Sequence, residues 1–63
     1  MKRIRYQDPY NSHKVWEVSH LKGGYYLKQF ISGRQWSRGR KVSKKFLEMI
    51  GVLSMPIVSI NEH

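Results

Sequence analysis

The chain contains no cysteine. That excludes a disulfide staple and any thiolate metal site, and it is compatible with the cytoplasm, where we place the protein. Acidic residues are scarce: four against twelve Lys and Arg, for a formal net charge of +8 on 63 residues. Asp8, Glu17, Glu48 and Glu62 stand apart in sequence, so there is no carboxylate pair for acid–base chemistry. No glycine-rich loop leads into Lys-Ser or Lys-Thr, and no serine sits in a nucleophile elbow. We therefore assign no catalytic residue and no cofactor, and do not read the chain as an enzyme. No apolar run approaches the roughly 20 residues that span a bilayer. Met1-Lys2-Arg3 opens like a signal peptide, but Gln7-Asp8-Pro9 follows in place of an apolar stretch, so no leader is expected.

A chain this short buries only about 60% of the surface it exposes when unfolded. Its core must be built from a few large side chains: Trp16, Trp36, Phe30, Phe46, the tyrosines and the aliphatics. Without a staple the expected stability is about 3–5 kcal/mol unless the chain oligomerises, and its oligomeric state is left open.

Residues 2–6, KRIRY, alternate, with Ile4 and Tyr6 on one side and Arg3 and Arg5 on the other. This is a short strand or an extended arm. Residues 8–12 carry turn chemistry around Pro9. Residues 14–21 are rich in β-branched and aromatic side chains and read as a strand. Gly23-Gly24 then fits a two-residue hairpin turn, which would set Leu21 opposite Tyr26, Glu17 opposite Phe30 and Trp16 opposite Ile31. One face of the hairpin carries Trp16, Val18, Leu27 and Ile31, with His20 and Gln29 among them. The other carries Glu17, Leu21, Tyr26, Lys28 and Phe30.

Ser32-Gly33 marks a second turn whose length is ambiguous. A two-residue loop would set Trp36 opposite Gln29, on the core face. A three-residue loop, 31–33, would set it opposite Lys28, on the outer face. Serine followed by glycine favours the three-residue form, with Tyr26, Lys28, Phe30, Trp36 and Arg38 together outside. Ser43 is placed to cap a helix over 44–50, whose apolar positions are Phe46, Leu47 and Ile50, and Gly51 to end it. Lys44 and Lys45 fall in the first turn, where the helix dipole disfavours cations. Residues 52–60 read as extended and split by Pro56, an edge strand or covering arm, with 61–63 frayed.

The expected fold is α+β: a three-stranded antiparallel meander over 14–21, 25–31 and 35–42, packed by one short helix. Residues 1–13 form an N-terminal arm, 14–51 the core and 52–63 a C-terminal extended segment, all in one domain. His13, Glu17 and His20 would share one face of a helix. On a strand His20 takes the opposite side from the other two, so no metal site is assigned.

The chemically pointed feature is the stretch between Glu17 and Glu48, which has no acidic residue and eight Lys or Arg. Arg34, Arg38, Arg40, Lys41, Lys44 and Lys45 fall within twelve residues, with Trp36 among them. Guanidinium groups hold phosphate bidentately, and aromatic rings stack on unpaired bases. The candidate nucleic-acid contacts are these six cations together with Lys28, Tyr26, Phe30 and Trp36. The expected function is a non-enzymatic nucleic-acid-binding module, DNA before RNA. The alternative is a small regulatory or inhibitory protein that binds another protein through its sheet face or edge. Three strands followed by a helix resembles, in order of elements, the sheet-based DNA-binding domains of some integrases and plant transcription factors. The resemblance implies a sheet that enters the major groove.

Overall fold

A computed structural model describes residues 1–62. It shows a small antiparallel sheet with one helix, an α+β arrangement. The strands are β1 (Lys2–Gln7), β2 (Lys14–Leu21), β3 (Gly24–Ile31), β4 (Arg34–Gln35), β5 (Arg40–Val42) and β6 (Ile57–Glu62). The order across the sheet is β4-β3-β2-β1-β6, with β5 also on β3, beyond β4. Helix α1 (Lys44–Ile50) and a 3-10 turn, Val52–Ser54, carry the chain from the β5 edge to the β6 edge.

Period-two alternation makes this sheet one-sided. Ile4 and Tyr6 of β1 stand beside Val18 and Trp16 of β2, and Val18 stands beside Leu27 of β3. These side chains meet Leu47 of α1 and Val52 in the core, with Phe46, Ile50 and Met55 packed around it. Among the described residues five apolar ones are buried: Tyr6, Val18, Leu27, Leu47 and Val52. A core this thin has no redundancy, and each member counts. Burial raises the Tyr6 phenol above its ordinary pKa, with Lys2 opposing, so it stays neutral.

The helix forms where the sequence places it. Ser43 Oγ accepts from the Phe46 N–H at 3.0 Å, and Gly51 takes the left-handed conformation at φ 78°.

Other expectations need correction. The first hairpin turns at Lys22-Gly23, one residue earlier than Gly23-Gly24, so Leu21 pairs with Gly24 and Trp16 with Gln29. Moving a turn by one residue shifts the register by two, and an even shift keeps every side chain on its face. The core and outer faces therefore survive the slip. The second turn is the two-residue form, because Ser32 accepts positive φ (51°) beside Gly33 (81°). The expected third strand, 35–42, is two short ones. Phe30 pairs with Gln35, but Leu27 pairs with Arg40, so two extra residues loop out between β4 and β5. The N- and C-terminal arms are sheet strands: β1 lies between β2 and β6. Asn61 and Glu62 do not fray, since they pair with Arg3 and Lys2. His63 lies outside the described residues.

The β1–β2 loop is tied down by Asp8. Its Oδ1 accepts from the Tyr10 and Asn11 N–H groups at 2.8 and 3.0 Å, and its Oδ2 accepts from Trp16 Nε1 at 3.0 Å. The Trp16 bond, with the Tyr10 amide next, holds the carboxyl below its ordinary pKa of 3.8. A depressed native pKa gives stability that is complete above the unfolded value and lost as pH falls through the native one. Melting temperature should therefore fall as acid is added below about pH 4. Asp8→Asn should show a smaller acid-dependent drop than the parent chain, and an identical one would remove Asp8 from the acid response.

Candidate nucleic-acid interface

The helix covers one side of the sheet and leaves the other open. Two cross-strand rows occupy the open face. One runs Asn61, Arg3, Ser19, Tyr26, Lys41, and the next Ser59, Arg5, Glu17, Lys28. The rows exist because alternation sends Arg3 and Arg5 outward when Ile4 and Tyr6 go in.

Glu17 sits at the centre of this face, only 4% exposed. It accepts from Arg5 Nε at 3.0 Å, and its other cross-strand neighbour is Lys28. The Arg5 guanidinium also lies 4.6 Å from the centre of the Phe30 ring. Phe30 is therefore half-buried and already covered by a cation. A base stacking on the ring face that Arg5 covers would have to displace it. Tyr26 is half-buried, with its hydroxyl towards the Gly23 turn.

The sequence-derived cluster does not form one face. Tyr26, Lys28, Phe30 and Lys41 share the open face. Arg34 is beside Ile31, and Arg40 beside Leu27, on the helix side. Arg38 lies in the loop between β4 and β5, and that loop folds against Lys28: a Cβ on Gly39 would stand 3.1 Å from the Lys28 Cε. Lys44 and Lys45 open the helix, with Lys44 on the rim of a cleft lined by Lys2, Ile4, Tyr6, His20 and Tyr25. Arg34 and Arg40 on the helix side and Lys41 on the open face thus flank the β4–β5 edge as a basic rim.

Trp36 follows β4 directly and is 69% exposed. The three-residue loop would set Trp36 outside and the two-residue loop in the core; the turn takes the two-residue form, and the indole is exposed all the same. The two-residue loop does set Trp36 against Gln29, and its N–H donates to the Gln29 carbonyl at 2.7 Å. The Ser37 N–H turns to the same carbonyl at 3.4 Å, so the ladder ends there. Phe46 and Ile50 of the helix border a hollow with Trp16, Leu27, Gln29, Ser37 and Arg40. Trp36 is not among the residues that line this hollow, and its indole stays bare. Among the described residues no other ring and no cation lies against it. Trp16, by contrast, carries Lys14 Nζ 4.2 Å from its ring centre, and Tyr25 stacks on His20 at 4.3 Å.

Arg3 and Arg5 belong to this surface although they are absent from the cluster read in sequence. Their alternation with Ile4 and Tyr6 was the available signal. What it lacked was the pairing of β1 with β2. A polar hollow of about 180 Å³ lies between Arg3, Arg5, Glu17, Ser59 and Asn61. Because residues 14–21 form a strand, Glu17 and His20 point to opposite faces. Among the described residues no helix is long and apolar enough to cross a membrane. Comparison of the chain with protein-family models, curated proteins and solved structures finds no match.

Proposed function

We propose that this protein is a non-enzymatic nucleic-acid-binding module, with DNA ahead of RNA and little sequence preference. Arg3, Lys28, Arg38 and Lys41 contact phosphates, and Trp36 stacks on an unpaired or distorted base. The observation that carries this reading is the bare indole of Trp36, 69% exposed, in the stretch of chain that also carries Arg34, Arg38, Arg40 and Lys41. Exposed aromatics among Arg and Lys bind strands of any sequence, because every base has a stacking face. Long-range attraction between a +8 chain and a polyanion adds encounter rate.

The test is an NMR titration with duplex DNA, single-stranded DNA and RNA at two salt concentrations. Amide shifts should follow β3, the loop between β4 and β5, and the outward residues of β1. Failure of the folded protein to bind any of the three at low salt would favour the alternative, a regulator of another protein that docks through its sheet face or edge.

Trp36→Ala separates contact from core. Because the indole is exposed, its loss should change folding stability by no more than about 0.5 kcal/mol. Affinity should fall by about 1–3 kcal/mol. Trp16→Ala is the control, since Trp16 is half-buried and bonded to Asp8. Thermal melts that show both variants equally destabilised would take Trp36 out of the interface.

A further inference from the structure

The two edges of the sheet differ in kind. The β4–β5 edge is interrupted by a loop and crowded with Arg34, Arg38, Arg40 and Lys41. Charge and irregularity are the usual means by which a sheet edge avoids pairing with another chain. The β6 edge has little of either. All twelve Lys and Arg lie at or before Lys45. From Ile57 to Glu62 the only charge is Glu62, itself 3.3 Å from Lys2. Pro56 lies just before the strand, and the one irregularity, between Arg5 and Tyr6, leaves Val58 unpaired near the strand's start. Ile57, Val58 and Ile60 are each 56% exposed.

The free backbone groups of β6 can be located. Gln7 N–H donates to the Pro56 carbonyl, and Asp8 N–H donates to the Lys14 carbonyl. Odd-numbered residues of β1 therefore turn towards β6 and even-numbered ones towards β2. Arg3 and Arg5 pair with Asn61 and Ser59, so these use their backbone groups inward. Ile60 and Glu62 turn theirs outward, away from the sheet.

From these observations we infer that β6 pairs with β6 of a second copy, antiparallel about a two-fold axis near Ile60. The partner is a second copy because of charge. Two chains of net charge +8 repel over most of their surfaces, whereas residues 46–62 contain no Lys or Arg, and Lys2 beside them is paired with Glu62. A two-fold contact is self-complementary: Ile60 meets Ile60 of the second copy, Val58 falls opposite Glu62, and outward N–H groups meet outward carbonyls. The pairing joins the two sheets into one and leaves both basic rims at its far ends. It stands whether or not the protein binds nucleic acid.

Sedimentation across a dilution series tests this without any ligand. The parent chain should pass from monomer to a species of twice the mass, and the pairing should tighten as salt screens the repulsion. Binding to a polyanion weakens with salt instead, so the two behaviours separate by sign. Ile60→Lys, which changes an exposed side chain only, should raise the dissociation constant at least about tenfold. Ile60→Pro, which removes an outward donor, should do the same. In the parent chain the Ile60 and Glu62 amides should gain protection from hydrogen exchange with concentration. A chain that stays monomeric throughout, or folded Ile60 variants that dimerise like the parent, would overturn the proposal. So would loss of the dimer in Trp36→Ala, which would move the contact to the opposite edge.

Discussion

Leu47→Ala is expected to leave the chain largely unfolded. Leu47 is 0% exposed and is one of five buried apolar residues among those described. It ties the helix to Tyr6, Val18 and Leu27 of the sheet. Truncating a buried leucine costs about 2–5 kcal/mol, depending on how far the site collapses. A stapleless domain of this size has roughly 3–5 kcal/mol in all. Circular dichroism and amide dispersion should both collapse. Met49→Ala is the control: it lies on the same helix but is exposed, so its effect should stay within about 0.5 kcal/mol. Should Leu47→Ala keep a dispersed spectrum and a melt close to that of the parent chain, the core lies elsewhere.

The second large effect is expected in salt. With about four phosphate contacts on duplex DNA, log K should fall against log salt with a slope near −4. Affinity would then drop by a factor of order 10² between 50 and 200 mM. Lys28 and Lys41 sit together on the open face, one on β3 and one on β5. Replacing both with alanine should flatten the slope by about 2, since each lost contact removes close to one. Arg34→Ala on the helix side serves as a comparison. An unchanged slope in the double variant, with binding intact, would move the phosphate contacts off the open face.

Much of the fold was legible because local patterns carried it. The alternation in residues 14–21 and 25–31 placed Trp16, Val18 and Leu27 on one face, and an error in turn position did not disturb that. The turn moved by one residue, and one residue of turn is two of register. The helix was legible for a similar reason: Ser43, Phe46, Leu47, Ile50 and Gly51 lie within nine positions, so their signals are local. The second turn was misjudged because serine rarely accepts positive φ, and here Ser32 does. The candidate site was legible in composition and not in arrangement. Arg40 and Lys41 are adjacent in sequence and lie on opposite faces.

The sequence by itself determined the charge, the two hairpin strands with their faces, and the capped helix. Each depends on neighbours a few residues apart, or on no neighbours at all. Tertiary structure decided the rest. Whether residues 2–7 are an arm or a strand depends on pairing with β2 and β6, contacts between distant parts of the chain. Those pairings brought Arg3 and Arg5 onto the open face and set Arg5 over Phe30. Trp36 was left exposed where the ladder ends: its backbone N–H and that of Ser37 share the Gln29 carbonyl, and two residues loop out before β5. Neither event is visible in the residues around Trp36, because burial depends on what the rest of the chain can reach to cover.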